Sequence, residues 1–118
     1  MAGIIILSDI ESATNLDILQ GTRLQTVPQG GFLTFEFQAS DNDATNNYTA
    51  SIQLPGGETP LADTVKVPGG RQTGLAGIIN ADDKFMATFP VAQGGHCVFG
   101  CTETGDAEVA WRVTYTPA

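Results

Sequence analysis

The sequence predicts an all-β domain built as an antiparallel β-sandwich or jelly roll. Three observations predict it. Several segments alternate apolar and polar residues with a period of two, turn signals rich in Gly, Pro and Asn separate them about every 8 to 12 residues, and no window carries a convincing helical repeat. At 118 residues the chain has the usual size of one domain, and folding at that length buries roughly two-thirds of the unfolded surface. With 42% hydrophobic and 15% charged residues it is too apolar for a disordered chain. Residues 1–118 are therefore read as a single domain, with 1–20 as an N-terminal arm that contacts a partner.

Taken in chain order, Ile4, Ile5, Ile6 and Leu7 come first and are apolar on both faces. Such a run is either a central strand or an arm covered by a neighbouring subunit. Residues 16–19 and 23–27 are weaker strand candidates, and a short helical turn over 12–19 is the alternative there because Ser12 can cap it. The clearest strand is 31–39, where Leu33, Phe35, Phe37 and Ala39 point one way and Thr34, Glu36 and Gln38 the other. Tyr48, Ala50, Ile52 and Leu54 alternate with Thr49, Ser51 and Gln53 in the same manner. Residues 64–67, 75–79, 84–89 and 96–101 are further weaker candidates. The last strand sets Val109, Trp111, Val113 and Tyr115 against Glu108, Arg112 and Thr114. Trp111, Tyr115, Phe85 and Phe89 are expected in the core, whereas Phe32 and Phe99 lie off the main apolar stripes and are candidates for a contact surface.

The connections repeat one device. VPQGGF, from Val27 to Phe32, returns as VAQGGH, from Val91 to His96. Gly-Gly pairs occur near the ends of apolar alternations, where the backbone must reverse through positive φ. Turns used twice explain the echo as well as an old duplication does. A phosphate cradle would need the glycines to open a helix and a Lys to follow, and neither is present.

Charge narrows the partners. Arg23, Lys66, Arg71, Lys84 and Arg112 face thirteen acidic residues, a formal net charge of -8. Five scattered cations argue against nucleic acid and against anionic membranes. The N-terminal apolar run is too short for a membrane span and has no basic residue before it, so no signal peptide is expected. Cys97 and Cys101 would lie roughly 13 Å apart on a continuous strand, too far for a disulfide unless the chain bends sharply at Gly100, and two buried free thiols are the favoured expectation, in keeping with assembly in a reducing host cytoplasm.

No cofactor, metal or catalytic group is expected, and the protein is not read as an enzyme. His96, Cys97 and Cys101 supply at most three soft ligands without the paired spacing of a structural zinc site. His96 is the only histidine, and on a strand its side chain faces away from that of Cys97, which argues against a dyad. Asp41, Asn42 and Asp43, with Asp82 and Asp83 elsewhere, are oxygen-rich, yet the first loop lacks the Gly and distal Glu of a helix-loop-helix calcium site. Solvated turns are the plainer reading.

Low charge density, an apolar N-terminal segment, few edge-blocking lysines and many Thr and Gln on strand faces suggest surfaces covered by neighbours. In length, acidity, short Gly- and Thr-rich strands and its ending on Trp111-Arg112-Val113-Thr114-Tyr115-Thr116, the chain resembles small phage virion proteins that decorate or cement a capsid. The resemblance implies a structural protein on the outer capsid surface of a virion, partnered by capsid protein or by copies of itself, commonly as a trimer. Contact residues expected on this reading are Ile4, Ile5, Ile6, Leu7, Phe32 and Phe99, and deletion of residues 2–19 should abolish capsid binding or oligomerisation while leaving the sandwich folded. Two rivals are a carbohydrate- or ligand-binding module using the loop over 41–47 and a shell or filament subunit that assembles alone.

Overall fold

The computed structural model describes residues 3–11, 14–39, 47–54, 61–68, 85–104 and 109–118, which form seven strands and, among these residues, no helix. The strands are β1 (Ile5–Glu11), β2 (Gly31–Ala39), β3 (Asn47–Gln53), β4 (Leu61–Pro68), β5 (Phe85–Val91), β6 (Val98–Thr104) and β7 (Val109–Pro117). They make two antiparallel sheets, one in the order β1-β7-β2-β5 and one in the order β4-β3-β6.

Period-two alternation places the core. Leu33, Phe35 and Phe37 of β2 and Val109, Val113 and Tyr115 of β7 are fully buried, with Trp111 nearly so. Ile52 of β3 and Phe99 and Cys101 of β6 join the same cluster from the other sheet. The Phe99 ring meets Phe35 edge-on at 5.2 Å between centroids and Trp111 edge-on at 6.2 Å, the geometry that the ring quadrupoles favour. Tyr115 is buried to its hydroxyl, which donates to the Gln29 carbonyl at 3.0 Å. Cys97 and Cys101 are free and buried.

Residues 16–19 and 23–27 are not strands. Asn15 makes a single bridge with Cys101, and the Ile18 amide donates to the Phe99 carbonyl at 2.8 Å, after which the chain runs through turns. The Thr22 hydroxyl donates to the Leu19 carbonyl at 2.6 Å and accepts from the Leu24 amide at 3.2 Å, while Gln25 Oε1 accepts from the Gly21 amide at 2.8 Å. These local bonds hold the backbone out of a ladder. Ile18, Leu19, Leu24 and Val27 are nonetheless buried, so the apolar residues read as strand faces line the core from turns. Nor is there helix over residues 14–19. The candidate strand at 75–79 lies outside the described residues.

This wiring also overturns the clean deletion of residues 2–19. β1 is hydrogen-bonded to β7 along its length, and Ile18 and Leu19 belong to the core, so the deletion removes structure.

The echoed turns lie side by side. The Val27 amide donates to the Gly95 carbonyl at 3.0 Å, and the Gly94 amide to the Val27 carbonyl at 2.8 Å. Val27 and Val91, which open the two copies, are both buried. Gly94 has φ of 78° with no atom crowding its missing Cβ, so backbone conformation is what asks for glycine there.

Candidate functional site

The same alternation that fills the core builds an outer face on the four-stranded sheet. The ladder registers set its rows: Ile6, Thr114, Thr34 and Thr88 lie across the four strands in one row, and Ser8, Arg112, Glu36 and Met86 in the next. Phe32 lies beside Thr116 and Pro90 further along. Four large apolar side chains stand exposed around this face: Ile4 (64%), Ile6 (57%), Met86 (57%) and Phe32 (44%).

The middle of the face is polar but internally matched. Arg112 grips Glu36 with two parallel bonds, Nε to Oε1 at 3.0 Å and Nη2 to Oε2 at 2.7 Å. Bidentate pairing of this kind is both strong and directional. It covers Glu36, which is buried although the alternation placed it on the polar side of β2. The Glu36 hydrogen bond raises the Arg112 pKa above its ordinary value. Thr34 and Thr88 share a hydroxyl bond of 2.9 Å. The two rows therefore carry one cation and one anion, bound to each other, in a chain with a formal charge of -8.

Of the residues expected to touch a partner, Ile4, Ile6 and Phe32 are exposed on this side. Ile5 and Leu7 point the other way and are half-buried against the core. Phe99 corrects the expectation: it is fully buried, with rings of Phe35, Phe37 and Trp111 around it. It shares the inward face of β6 with Cys101, and Cys97, two residues before it, is buried as well, so the apolar stripe runs through residues 97, 99 and 101. Sequence reading missed Met86 and the Arg112–Glu36 pair. Alternation from Phe85 could have placed Met86 outward, but no pattern along the chain shows that β2 and β7 are neighbours.

A second cluster surrounds the sole histidine. His96 Nδ1 bonds the Gln25 carbonyl oxygen, and Nε2 meets Asp17 Oδ2 at 2.9 Å. Both partners are acceptors, so both bonds form only when the imidazole carries two protons. The Gln25 carbonyl, then Asp17, raise the His96 pKa above its ordinary value. The imidazolium thus ties residues 17 and 25 to the start of β6, with no ring nitrogen left over for a metal or a nucleophile. Burial pushes the thiols up, Cys97 to about 11 and Cys101 to about 12, which makes them poor nucleophiles. Among the described residues no three His, Cys, Asp or Glu side chains converge on a metal position. Residues 41–46, 82 and 83, considered for calcium, lie outside the described residues.

No family model matches the chain, and no curated protein matches it in sequence. A solved structure does match in fold: a chain of the acidic stable capsid structure of Helicobacter pylori bacteriophage KHP30, at a TM-score of 0.53 and 12% identity, over 97% of this chain and 87% of that one.

Proposed function

We propose that the protein is a structural component of a phage virion, a decoration or cement protein that binds the outer capsid surface and stabilises the shell. The observation that carries this reading is the fold likeness to a phage capsid chain along nearly the whole of both chains. We further propose that residues 1–118 form one jelly-roll sandwich. If residues 15–18, which bond β6, are counted as an eighth strand, the sheets read β1-β7-β2-β5 and 15–18-β6-β3-β4. Apart from β3 and β4, which are neighbours in one sheet, successive strands then alternate between the two sheets, as in the double-sheet jelly rolls of viral capsid domains.

The work of such a protein is mechanical. Area buried against several capsid subunits favours the assembled state by linkage, because only the intact shell offers the composite site. The face bearing Ile4, Ile6, Phe32 and Met86 suits that contact, being apolar at its rim and neutral at its centre. The acidic remainder of the surface would face solvent and keep free copies apart.

Immunogold labelling of intact purified particles tests the reading. Label is expected on the outer surface, and its absence, or its appearance only after the shell is broken, refutes outer-surface binding. The shell-subunit alternative separates cleanly, since such a subunit expressed alone assembles into closed or filamentous particles, whereas a cement protein remains a small soluble oligomer.

A further inference from the structure

We propose that β1 is an assembly edge that pairs antiparallel with β1 of a second copy about a two-fold axis at Ile6. Each sheet has two edges, and an edge strand left open is a template for another chain. The β6 edge is covered, since Asn15 and Ile18 bond Cys101 and Phe99. β5 carries Pro90, which has no amide to offer a newcomer. β4 carries Lys66 and ends on Pro68, both common means of blunting an edge. Only β1 of these four has neither proline, nor lysine, nor a covering segment among the described residues.

The hydrogen-bond phase shows which groups β1 offers. The Ala118 amide donates to the Gly30 carbonyl at 3.1 Å, continuing the β2–β7 register. Bonded pairs alternate along an antiparallel ladder, so even-numbered residues of β7 bond β2 and odd-numbered ones bond β1. By the register Ile5 to Tyr115, the odd residues of β1 are the ones that face β7. The amides and carbonyls of Ile4, Ile6, Ser8 and Ile10 therefore point outward from the edge. Asp9 Oδ1 already takes the Ile10 amide at 2.8 Å, which ends the free stretch at Ser8.

A copy of the same strand fits this stretch best. Centred on Ile6, antiparallel pairing sets Ile6 against Ile6, Ile5 against Leu7 and Ile4 against Ser8 of the other copy. Outward residues meet outward ones and half-buried residues meet half-buried ones, so both faces are preserved. Charge selects the direction. In this register the two Asp9 residues stand six residues apart, about 20 Å at strand rise, beyond the screening length at physiological salt. Parallel pairing would stack them, with Glu11, across a single strand spacing. The contact is two-fold, in place of the three-fold one implied by the resemblance. It does not rest on the capsid reading, and a dimer that failed to bind particles would leave it standing.

Cysteine cross-linking of the full-length protein tests the register. Residues in a bonded antiparallel pair have Cα atoms about 5.5 Å apart, within disulfide range, whereas two copies of residue 4 would stand about 13 Å apart. Ile6→Cys should therefore give a disulfide-linked dimer under mild oxidation, and Ile4→Cys, at a position exposed at least as much, should not. Sedimentation over a concentration series should show wild-type dimers and at least tenfold weaker association for Ser8→Pro, which removes an outward amide and spares the β7 ladder. A circular dichroism spectrum confirms that each variant folds. Equal cross-linking at both positions, no cross-linking at either, a wild-type monomer or trimer, or Ser8→Pro dimers of undiminished strength would each overturn the pairing. A monomer that associates only when capsid protein is added would assign the edge to a foreign strand and overturn it as well.

Discussion

Phe99→Ala tests the part of the fold on which the rest depends, the shared core of the two sheets. The side chain is fully buried, and its ring lies 5.2 Å from Phe35, 5.9 Å from Phe37 and 6.2 Å from Trp111 between centroids. Truncating a buried Phe costs about 3–5 kcal/mol, from lost transfer energy and the cavity left behind. Edge-to-face contacts with Phe35 and Trp111 place this site toward the upper part of that range. Against a total stability of about 5–15 kcal/mol, the loss is a large share. For a chain of 118 residues, each kcal/mol is worth about 4 °C in Tm, so a fall of roughly 15 °C is expected. Phe99→Leu, which keeps most of the volume, should lose less than about 1.5 kcal/mol. Urea denaturation monitored by Trp111 fluorescence reads both variants, and an unchanged m value keeps the comparison two-state. A loss below about 1 kcal/mol for Phe99→Ala would show that the ring does not join the sheets, and would return it to the surface role that its sequence position suggested.

Three further outcomes are expected. Gly100→Ala places a Cβ 2.9 Å from the Leu16 carbonyl oxygen and 3.3 Å from its carbon, so it should cost about 1–3 kcal/mol and speed hydrogen exchange at the Asn15 and Ile18 amides; unchanged exchange there would contradict the close approach of this segment to β6. Arg112→Met takes the bidentate partner from a buried carboxylate and should cost about 3 kcal/mol, more than Glu36→Gln, which leaves a half-exposed guanidinium that water can reach; the reverse order in denaturant titrations would refute the burial of Glu36. The His96 pKa is raised in the folded state, so its contribution is fully present below the ordinary histidine value and is lost as pH rises through the folded one. Because the ring is more than one-third exposed, the effect is about 0.5–1 kcal/mol; wild type should exceed His96→Gln in stability below the ordinary histidine value, with the gap closing as pH rises through the folded one, and a constant gap would show that the ion pair is not the source.

The strands with one wet face were legible because alternation is a local signal. β2 covers residues 31–39 as the pattern of Leu33, Phe35 and Phe37 indicates, and β7 buries Val109, Trp111, Val113 and Tyr115 on one face as their alternation indicates. Residues 16–19 and 23–27 misled for a different reason. Ile18, Leu19, Leu24 and Val27 bury as strand residues would, but Thr22 and Gln25 satisfy nearby backbone groups and fold the segment into turns. Apolar spacing reports burial, and only the hydrogen-bond partners tell a turn from a ladder. The site was half legible. Ile4 and Ile6 stand out in any reading, whereas Glu36 and Arg112, 76 positions apart, meet only because β7 inserts between β1 and β2. Strand order of that kind is set by long-range pairing and leaves no mark along the chain.

The two surface features of the four-stranded sheet support each other. Pairing at β1 would set the outer faces of two copies edge to edge, with Ile6 of each at the seam and Ile4 flanking it, so that β5 of each copy bounds one continuous platform. Phe32 and Met86 lie toward those far rims, and the Arg112–Glu36 pair neutralises the middle of each half. A chain with a formal charge of -8 pays a repulsive cost whenever two copies approach, and that cost is least where the charges are already matched. The neutral rows are thus where a second copy and a capsid could both be met. Charge inserted at the seam, as in Ile6→Lys, should weaken self-association and particle binding together, whereas charge at the rim, as in Met86→Lys, should weaken particle binding alone. Loss of both activities on the rim change would mean that the two contacts are one.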